Sequence, residues 1–389
     1  MRPAGLPSAR RAADAARAAL GAVLGLAPAS AQAAPAVTGL QQDVVFSAYA
    51  PLADSAELVR RLLSPLAAAE VQGILTRSTE HLVAQSIDLS AERFVLYVPP
   101  AAPPSGYGLL AFVPPWQEAR LPAGWQAALD RYGIIYVSAA RSGNEENVIG
   151  RREPLALLGA YNVMQRYPVD QARIYVGGFS GGARIALRLA LGYPDLFRGA
   201  LLNAGSDALG SGVPPLPPAE LFRRFQESVR LVYLTGEQDR AHLGMDAESE
   251  ASMHRWCVFA VNVDVTRWTG HEVAGPSALS GALQELGAPV RTDAARLARC
   301  RADVDRELSA QLQKAQQLLG DGRRAEAQKL LIEIDRRFGG LAAPRSVELQ
   351  MALNCNPSDA ATHANCERAG TAAAGGDALR SGDPSPARR

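Results

Sequence analysis

The feature that most constrains the fold is a regular alternation of short apolar runs with helical stretches, from about residue 92 to residue 270. The runs rich in β-forming residues are ERFVLYVP, YGLLAFVP, IIYVSAA, ARIYVGGF, FRGALLNAG, VRLVYLTG and VNVDVTRWTG. Helical patterns such as GWQAALDRYG and EPLALLGAYNVMQRYP separate them. Nearly continuous apolar strands are typical of a parallel sheet that is covered on both faces. The alternation therefore predicts an α/β fold, a mostly parallel sheet between two layers of helices.

The segments that flank this alternation have other patterns. DVVFSAYA, residues 43–50, is consistent with an edge strand, and residues 56–75 with one or two helices. Beyond residue 291 the β pattern ends, and residues 302–338 predict a helical hairpin about a Gly-Asp-Gly turn, similar to one tetratricopeptide-type repeat. Because one repeat cannot bury its apolar faces alone, we expect it to dock on the preceding domain or to contact another protein. Its apolar positions are Leu312, Ala315, Leu318, Leu319, Ala327, Leu330, Leu331 and Ile334.

The N-terminal segment has the order of a secretory signal peptide. Four arginines precede a short apolar stretch, residues 18–27, and the small-x-small pattern Ala31-Gln32-Ala33 follows. An organelle transit peptide and a disordered tail are the alternatives. We expect a signal peptide at 1–33, an α/β domain at 34–291, the hairpin at 292–352 and a cysteine loop with a disordered tail at 353–389. The apolar stretch is too short to span a bilayer, so no membrane span is predicted.

The cysteine count agrees with export to an oxidising compartment, periplasmic or extracellular. Four cysteines are an even number, as two disulfides require, although free thiols are the alternative. Cys355 and Cys366 bracket a polar loop that a disulfide between them would close, and Cys257 with Cys300 would then form the other bridge. Three connectivities are possible, and the sequence does not choose between them. A metal site is disfavoured because no Cys-x-x-Cys pair occurs. The formal net charge of +1 indicates no nucleic-acid partner.

The stretch VGGFSGGAR, residues 176–184, places one serine among four glycines at the end of an apolar run. It contains the pattern G-x-S-x-G, a strand leads into it and a helical pattern leaves it. Such a strand-to-helix turn exposes the serine hydroxyl of Ser180 as a nucleophile, and the small neighbours avoid clashes with the backbone. The backbone N–H of Gly181, near the helix N-terminus, is expected to face a developing oxyanion.

A serine hydroxyl needs a base that takes its proton and an acid that holds the base. His271 directly follows the last predicted strand, where a loop carries it over the serine, so it is the predicted base. The remaining histidines are predicted to be at the surface or structural; they are His81, His242, His254 and His363.

The predicted acid ends a strand between the serine and the histidine. Asp239, just past the run VRLVYLTG, is the first candidate, and Asp207, after FRGALLNAG, is the alternative. Glu237 is nearer to its strand but would lie on the turn itself. Each of these carboxylates is otherwise a loop residue that nearby N–H groups satisfy.

Residues from about 92 to 290, roughly half of the chain, resemble an α/β-hydrolase. Within that superfamily they are similar to the secreted esterases related to polyhydroxybutyrate depolymerases and feruloyl esterases. The resemblance is carried by YPVDQARIYVGGFSGGARIALRLALGYPDLFRGALLNAG, LTGEQD and GHEV. It implies an α/β-hydrolase fold with Ser180 as nucleophile, Asp239 as acid and His271 as base, in that chain order. The motifs are specific for the fold and much less so for the substrate.

One loop departs from the pattern of these relatives, which place a His-Gly pair after the third strand. Here the loop reads AFVPPWQEA, and Pro114 and Pro115 have no N–H to donate. The second donor of the oxyanion hole is therefore expected to be Trp116 or Gln117. We interpret the two prolines as a rigid support that aims the Trp116 N–H; a diverged, inactive pocket is the alternative.

The sequence thus predicts an exported serine hydrolase that cleaves carboxylic esters, small or polymeric, through an acyl-enzyme. Trp116 and Phe179 are placed to line an acyl pocket. No metal or organic cofactor is expected, since neither a metal-ligand cluster nor a dinucleotide motif occurs. Two alternatives stay open: a peptidase of the same fold, and a non-catalytic binding protein on a hydrolase shell that uses the hairpin as its interaction surface.

Overall fold

The structure, a computed structural model, describes residues 37–78 and 81–355. Its centre is an eight-stranded sheet in the order β1-β2-β4-β3-β5-β6-β7-β8. The strands from β4 to β8 in this order are parallel to their neighbours, whereas β2 runs antiparallel to both β1 and β4. The bounds are β1 (Gly39–Val44), β2 (Phe94–Val98), β3 (Tyr107–Val113), β4 (Ile134–Ala139), β5 (Val169–Phe179), β6 (Gly199–Asn203), β7 (Arg230–Gly236) and β8 (Val261–Thr266).

Helices cover both faces of the sheet, and successive side chains of a strand point to opposite faces. In β3, Leu109, Ala111 and Val113 belong to one buried apolar cluster, and Leu110 and Phe112 to another. The predicted α/β fold with a mostly parallel sheet is therefore confirmed. The helices are α1 (Ser55–Leu62), α2 (Pro65–Arg77), α3 (Gln126–Tyr132), α4 (Glu153–Arg166), α5 (Gly181–Gly192), α6 (Ala219–Ser228), α7 (Arg240–Arg255), α8 (Pro276–Gly287), α9 (Ala294–Gly320), α10 (Arg324–Phe338) and α11 (Arg345–Asn354).

The edge strand was predicted in the wrong place. The prediction put it at residues 43–50, but β1 ends at Val44, and Val45 to Ala50 lie outside regular structure. The apolar residues that suggested a strand are used differently, because Phe46 is buried against the ring of Phe94, with centroids 4.7 Å apart. The strand itself is formed by the largely polar segment GLQQDV, which has no apolar alternation to reveal it.

Three helices follow the α/β region, where the sequence predicts two between residues 302 and 338. The first, α9, already begins at Ala294, and α11 follows α10. Glu307 and Arg337 form an ion pair of 2.7 Å between α9 and α10. Phe338, at the end of α10, packs edge-on against Trp256, with ring centroids 5.6 Å apart. Apolar side chains of α9 and α10 thereby join the same buried cluster as those of the sheet.

A disulfide joins Cys257, just after α7, to Cys300 in α9, which is one of the pairings that the sequence left open. Cys355 is disulfide-bonded as well, whereas Cys366, the partner expected for it, lies outside the described residues. The predicted signal peptide and C-terminal tail also lie outside them. Among the helices that the structure describes, none is both long and apolar enough to cross a membrane.

We expect the double variant Cys257→Ala/Cys300→Ala to be less stable by about 4 kcal/mol, because the bond closes a loop with a sequence separation of 43 residues. Urea unfolding followed by circular dichroism measures the change. The oxidised wild type is the reference, and no reducing agent is added, because reduction would also open the disulfide of Cys355. An unchanged unfolding midpoint in the variant would contradict the expectation.

Candidate active site

Ser180 occupies the turn between β5 and α5, with φ 54° and ψ −123°. This conformation is strained for a residue that carries a side chain and typically costs 1–3 kcal/mol. The turn is held from below, because the Ser180 N–H donates to the carbonyl of Asn203, at the end of β6, over 2.8 Å. The predicted strand, turn and helix are therefore present, and they present the hydroxyl at the carboxyl end of the sheet.

The glycines around Ser180 allow the backbone to approach its surroundings closely. A Cβ on Gly178 would collide with the carbonyl of Gly182, and a Cβ on Gly182 with the carbonyl of Val113 in β3. A Cβ on Gly205, in the loop after β6, would collide with the carbonyl of Ser180 itself. The start of α5 thus lies directly on the strand ends, which leaves no room for side chains at these positions.

The structure brings Ser180, His271 and Asp239 together. The Ser180 Oγ lies 3.0 Å from the His271 Nε2, and the His271 Nδ1 lies 2.6 Å from the Asp239 Oδ2. Ser180 follows β5, Asp239 follows β7 and His271 follows β8, so the ends of three strands position the group. The arrangement has the geometry of a nucleophile, a base and an acid that orients the base.

The loop that carries His271 is anchored at Ala274. Its N–H donates to the side-chain Oδ1 of Asn203 over 2.8 Å, and its carbonyl accepts from the indole N–H of Trp125 over 2.8 Å. Asn203 also donates from Nδ2 to the carbonyl of Leu234 in β7. With its backbone carbonyl bonded to the Ser180 N–H, this one buried residue links the serine turn, β7 and the His271 loop. A strand-end asparagine reads in the sequence as an ordinary turn residue, and nothing there indicates this role.

Asp239 serves as the N-cap of α7, where its Oδ1 accepts the backbone N–H of His242 at 3.4 Å. Burial favours the neutral acid, but the hydrogen bonds from His242 and His271 outweigh it, so the pKa of Asp239 is below its usual value. A helix N-terminus also stabilises a negative charge. Asp239 is therefore ionised at neutral pH and is able to stabilise a protonated His271.

His242 is a second imidazole at the same carboxylate. Its Nδ1 lies 2.8 Å from the Asp239 Oδ1, and its ring stacks on that of His271 with centroids 4.2 Å apart and planes at 15°. The sequence predicted a surface or structural role for His242, and the structure places its ring against both the predicted acid and the predicted base. The signal that could have found it is its spacing, three residues after a predicted acid that opens a helix.

The other candidate carboxylates lie elsewhere. Asp207 pairs with Arg184 at 3.4 Å, and burial raises its pKa above the usual value although Arg184 and Arg188 oppose the shift. Glu237 accepts the backbone N–H of Trp268 over 3.2 Å. Neither carboxylate hydrogen-bonds to a histidine among the described residues. The structure therefore favours Asp239 over the alternatives as the partner of His271.

The remaining histidines are not part of this group where the structure describes them. His254 lies on α7 near Glu250, at 3.9 Å, and stacks on Phe259. His81 is exposed, and His363 lies outside the described residues.

The loop with the two prolines is held rigidly beside the start of α5. The buried guanidinium of Arg152 donates to the carbonyls of Pro114 and Ser142, each over 3.0 Å. Burial lowers the pKa of Arg152 to about 10, against the opposing effect of nearby Glu153 and Glu146. Because Arg152 remains charged at neutral pH, its bonds to carbonyl oxygens are strong ones.

Three backbone donors near Ser180 have no acceptor within the part of the chain that the structure describes. They are the N–H groups of Trp116, Gln117 and Gly181. The Gln117 carbonyl is bonded to the Arg141 N–H over 2.6 Å, and the Pro115 carbonyl to the Asn144 N–H over 3.1 Å, which fixes the loop. The exposed Asn144 places its side-chain amide directly against Gly181. The N–H groups that the sequence predicts as oxyanion donors therefore have no internal acceptor among the described residues, and Asn144 is a polar neighbour that the sequence does not indicate.

The two aromatic residues predicted to line an acyl pocket are neighbours of the serine turn. The Phe179 ring packs against His271, with centroids 4.9 Å apart, and against Trp116, at 6.2 Å. Phe179 is only 8% exposed, whereas Trp116 is half-buried and carries the guanidinium of Arg120 over its ring at 4.1 Å. Trp116 thus has the accessible apolar surface, and Phe179 mainly supports the His271 ring.

The ligand atoms of Asp239, His242 and His271 lie within 4.8 Å of one another, close enough in principle for a metal ion. Each imidazole Nδ1, however, faces its own carboxylate oxygen at hydrogen-bond distance, 2.8 and 2.6 Å. These distances fit hydrogen bonds between the two imidazoles and the carboxylate.

The strand order, the antiparallel β2 and the serine turn after β5 define the α/β-hydrolase fold. No protein-family model and no curated protein sequence matches the chain. Solved structures that match include a poly(3-hydroxybutyrate) depolymerase from Bordetella parapertussis, 18% identical over 54% of this chain and 88% of that one, with a TM-score of 0.38.

Two further matches are an acetyl xylan esterase and a peptidase. The acetyl xylan esterase from Aspergillus awamori is 14% identical over 53% of this chain and 97% of that one, with a TM-score of 0.38. Dipeptidyl peptidase 4 from Porphyromonas gingivalis is 14% identical over 51% of this chain, with a TM-score of 0.38, and the match spans only 34% of the peptidase. The fold assignment rests on the strand order and the serine turn, not on these similarities.

The contact of Gly182 with β3 gives a test of the serine turn. We expect Gly182→Ala to lower the free energy of unfolding by about 1–3 kcal/mol, because the new Cβ meets the backbone carbonyl of Val113. Gly181→Ala is the matched control, since its Cβ meets only the exposed side chain of Asn144, which can turn away. Urea unfolding compares the two. Equal stability of both variants would show that the turn is not tightly packed.

Proposed function

We propose that the chain is a serine hydrolase that cleaves carboxylic esters through an acyl-enzyme. The observation that carries the proposal is the continuous hydrogen-bonded path from the Ser180 hydroxyl through His271 to the ionised Asp239, at 3.0 and 2.6 Å. A side chain in a strained backbone conformation, aligned with a base and an acid, has little structural value and a clear chemical use.

In the proposed reaction the Ser180 Oγ attacks the acyl carbon while the His271 Nε2 takes its proton. Asp239 holds the other ring nitrogen and stabilises the imidazolium. The negative charge that forms on the carbonyl oxygen is stabilised by hydrogen bonds that the N–H groups of Gly181 and of Trp116 or Gln117 donate to it. His271 then returns its proton to the leaving alcohol. Water, activated by the same imidazole, attacks the acyl-enzyme and releases the acid.

The choice of esters rests on the resemblance of the motif sequences to secreted esterases and depolymerases. A peptidase would use the same three side chains, so a panel of esters and amides separates the two. A non-catalytic binding protein is disfavoured, because the loop with Pro114 and Pro115 keeps free N–H donors beside the serine turn. The apolar, accessible face of Trp116 suits the acyl part of a substrate.

We also propose that the protein acts outside the cytoplasm. The N-terminal segment has the order of a signal peptide, and the Cys257–Cys300 disulfide suits an oxidising compartment. Fractionation of the producing cell, with immunodetection of the chain in each fraction, tests this point. Retention of the full-length chain in the cytoplasm would contradict it.

The first test of the activity is covalent labelling by a fluorophosphonate probe. We expect the wild type to be labelled and Ser180→Ala to be unlabelled, because the probe reacts only with an activated serine. His271→Ala should react at least about a thousandfold more slowly, since a triad without its base loses most of its rate. Hydrolysis of p-nitrophenyl esters of increasing acyl length should show the same dependence. A folded wild type without labelling would support the binding-protein alternative.

The assignment of the acid has its own test. We expect Asp239→Asn to lower kcat by about 10²–10⁴-fold, because an amide cannot stabilise the imidazolium and favours the wrong tautomer of His271. Asp207→Asn is the matched control, because Asp207 pairs with Arg184 and not with the histidine; its kcat should stay within about threefold of the wild type. Steady-state ester hydrolysis distinguishes the two, and the reverse ranking would make Asp207 the acid.

A further inference from the structure

We propose that His242 is a positioning residue for the hydrolysis, which fixes the Asp239 carboxylate and must be neutral while His271 carries the serine proton. This inference rests on the proposed function and assigns a part in it to a side chain that the reaction scheme does not otherwise use.

The carboxylate geometry supplies the first argument. The two oxygens of Asp239 are divided between two imidazoles, Oδ1 to His242 at 2.8 Å and Oδ2 to His271 at 2.6 Å. The Asp239 side chain is only 6% exposed, so water has little access to replace a missing partner. With both oxygens bonded, the carboxylate plane cannot rotate, and the Oδ2 lone pair stays aimed at the His271 Nδ1. Without the His242 imidazole, Oδ1 would keep only the backbone N–H of His242 at 3.4 Å, a weaker restraint on that rotation.

The tautomer of His242 follows from the same contact. A carboxylate oxygen only accepts hydrogen bonds, so the His242 Nδ1 must carry the hydrogen. The His271 Nδ1 must do the same toward Oδ2, which leaves its Nε2 free to accept the Ser180 proton. One carboxylate therefore selects the tautomer of both rings, and the tautomer that it selects for His271 is the one that a base requires.

The stacking of the two rings supplies the second argument. Their centroids are 4.2 Å apart and their planes differ by 15°. When His271 takes the serine proton, its charge is balanced by Asp239. A second proton on His242 would place two cations face to face around a single carboxylate, and like charges at this distance repel strongly. Protonation of His242 is thus expected to stop the transfer of the serine proton.

The charged groups that face His242 come from α7 and from the loop after β8. They are Asp239, His271 and Asp246, which lies one helical turn beyond His242. Burial raises the pKa of Asp246, against the hydrogen bonds that it accepts from Ser206 and Thr235, at 2.6 Å each. Asp246 is therefore engaged by two hydroxyls, and Asp239 is the carboxylate that bonds directly to both rings.

The experiment compares two substitutions at His242 with a control on the same helix. His242→Asn keeps an N–H donor near Asp239 but cannot be protonated, and His242→Leu keeps bulk without a donor. His254→Leu is the control, because His254 lies at the far end of α7. Steady-state hydrolysis of a p-nitrophenyl ester is measured for each protein from pH 4 to pH 9, together with the rate of fluorophosphonate labelling. Thermal unfolding verifies that each variant is folded.

We expect His242→Leu to lower the plateau kcat by about 10–100-fold with KM unchanged, because a displaced base slows the chemical step more than binding. His242→Asn should keep most of the plateau kcat. Its activity should also persist to lower pH than that of the wild type, because protonation of either ring inactivates the wild type and only one ring remains. The control should match the wild type in both respects.

Three results would overturn the inference, and only the third would also overturn the proposed function. If the wild type is active and both His242 variants have the same kcat and pH midpoint as the wild type, His242 has no positioning role and the proposed function remains intact. Equal loss of kcat in both variants with an unchanged midpoint reduces His242 to a packing residue and likewise overturns its role. A folded wild type that neither hydrolyses esters nor reacts with the probe overturns the proposed function, and the role of His242 with it.

Discussion

The site depends first on the strained backbone conformation of Ser180, which close packing keeps in place. Ser180, at φ 54°, lies outside the conformations that a serine prefers, and its strain must be offset by its surroundings. This strain is offset by the hydrogen bond from the Ser180 N–H to the Asn203 carbonyl. It is also offset by the packing of α5 against the ends of β3 and β6, which glycines allow. Because these contacts are made by backbone atoms, the position of the hydroxyl is fixed by the sheet itself and not by a mobile loop.

The rest of the site is tied to the same sheet edge. Asn203 bonds to the serine turn, to the end of β7 and to the loop that carries His271, so the three elements share one buried reference point. Trp125 holds the other side of that loop. Parallel strands bring their carboxyl ends to one edge, and a single amide among them can serve several loops at once. The positions of Ser180 and of the His271 loop are therefore set by the residues beneath them, Asn203 and Trp125.

The sequence predicted the features that depend on residues close together in the chain. The apolar runs predicted the central strands, and strand, glycine-rich turn and helix predicted the place of Ser180. The edge strand β1 was misplaced because its residues are polar and its pairing with β2 decides its position. The sequence assigned His242 a surface or structural role and did not indicate its contact with His271, because that stacking depends on how α7 meets a loop distant in sequence. Asn203 gave no signal, because its three partners come from separate segments.

Helix α7 connects Asp239 to the C-terminal helices. It begins directly after Asp239 and ends beside Cys257, which is covalently bonded to α9. Its 16 residues give the helix a length of about 24 Å between the Asp239 carboxylate and the disulfide. The C-terminal helices are thus tied to Asp239 through one helix and one covalent bond, so the disulfide anchors the far end of the helix that Asp239 caps.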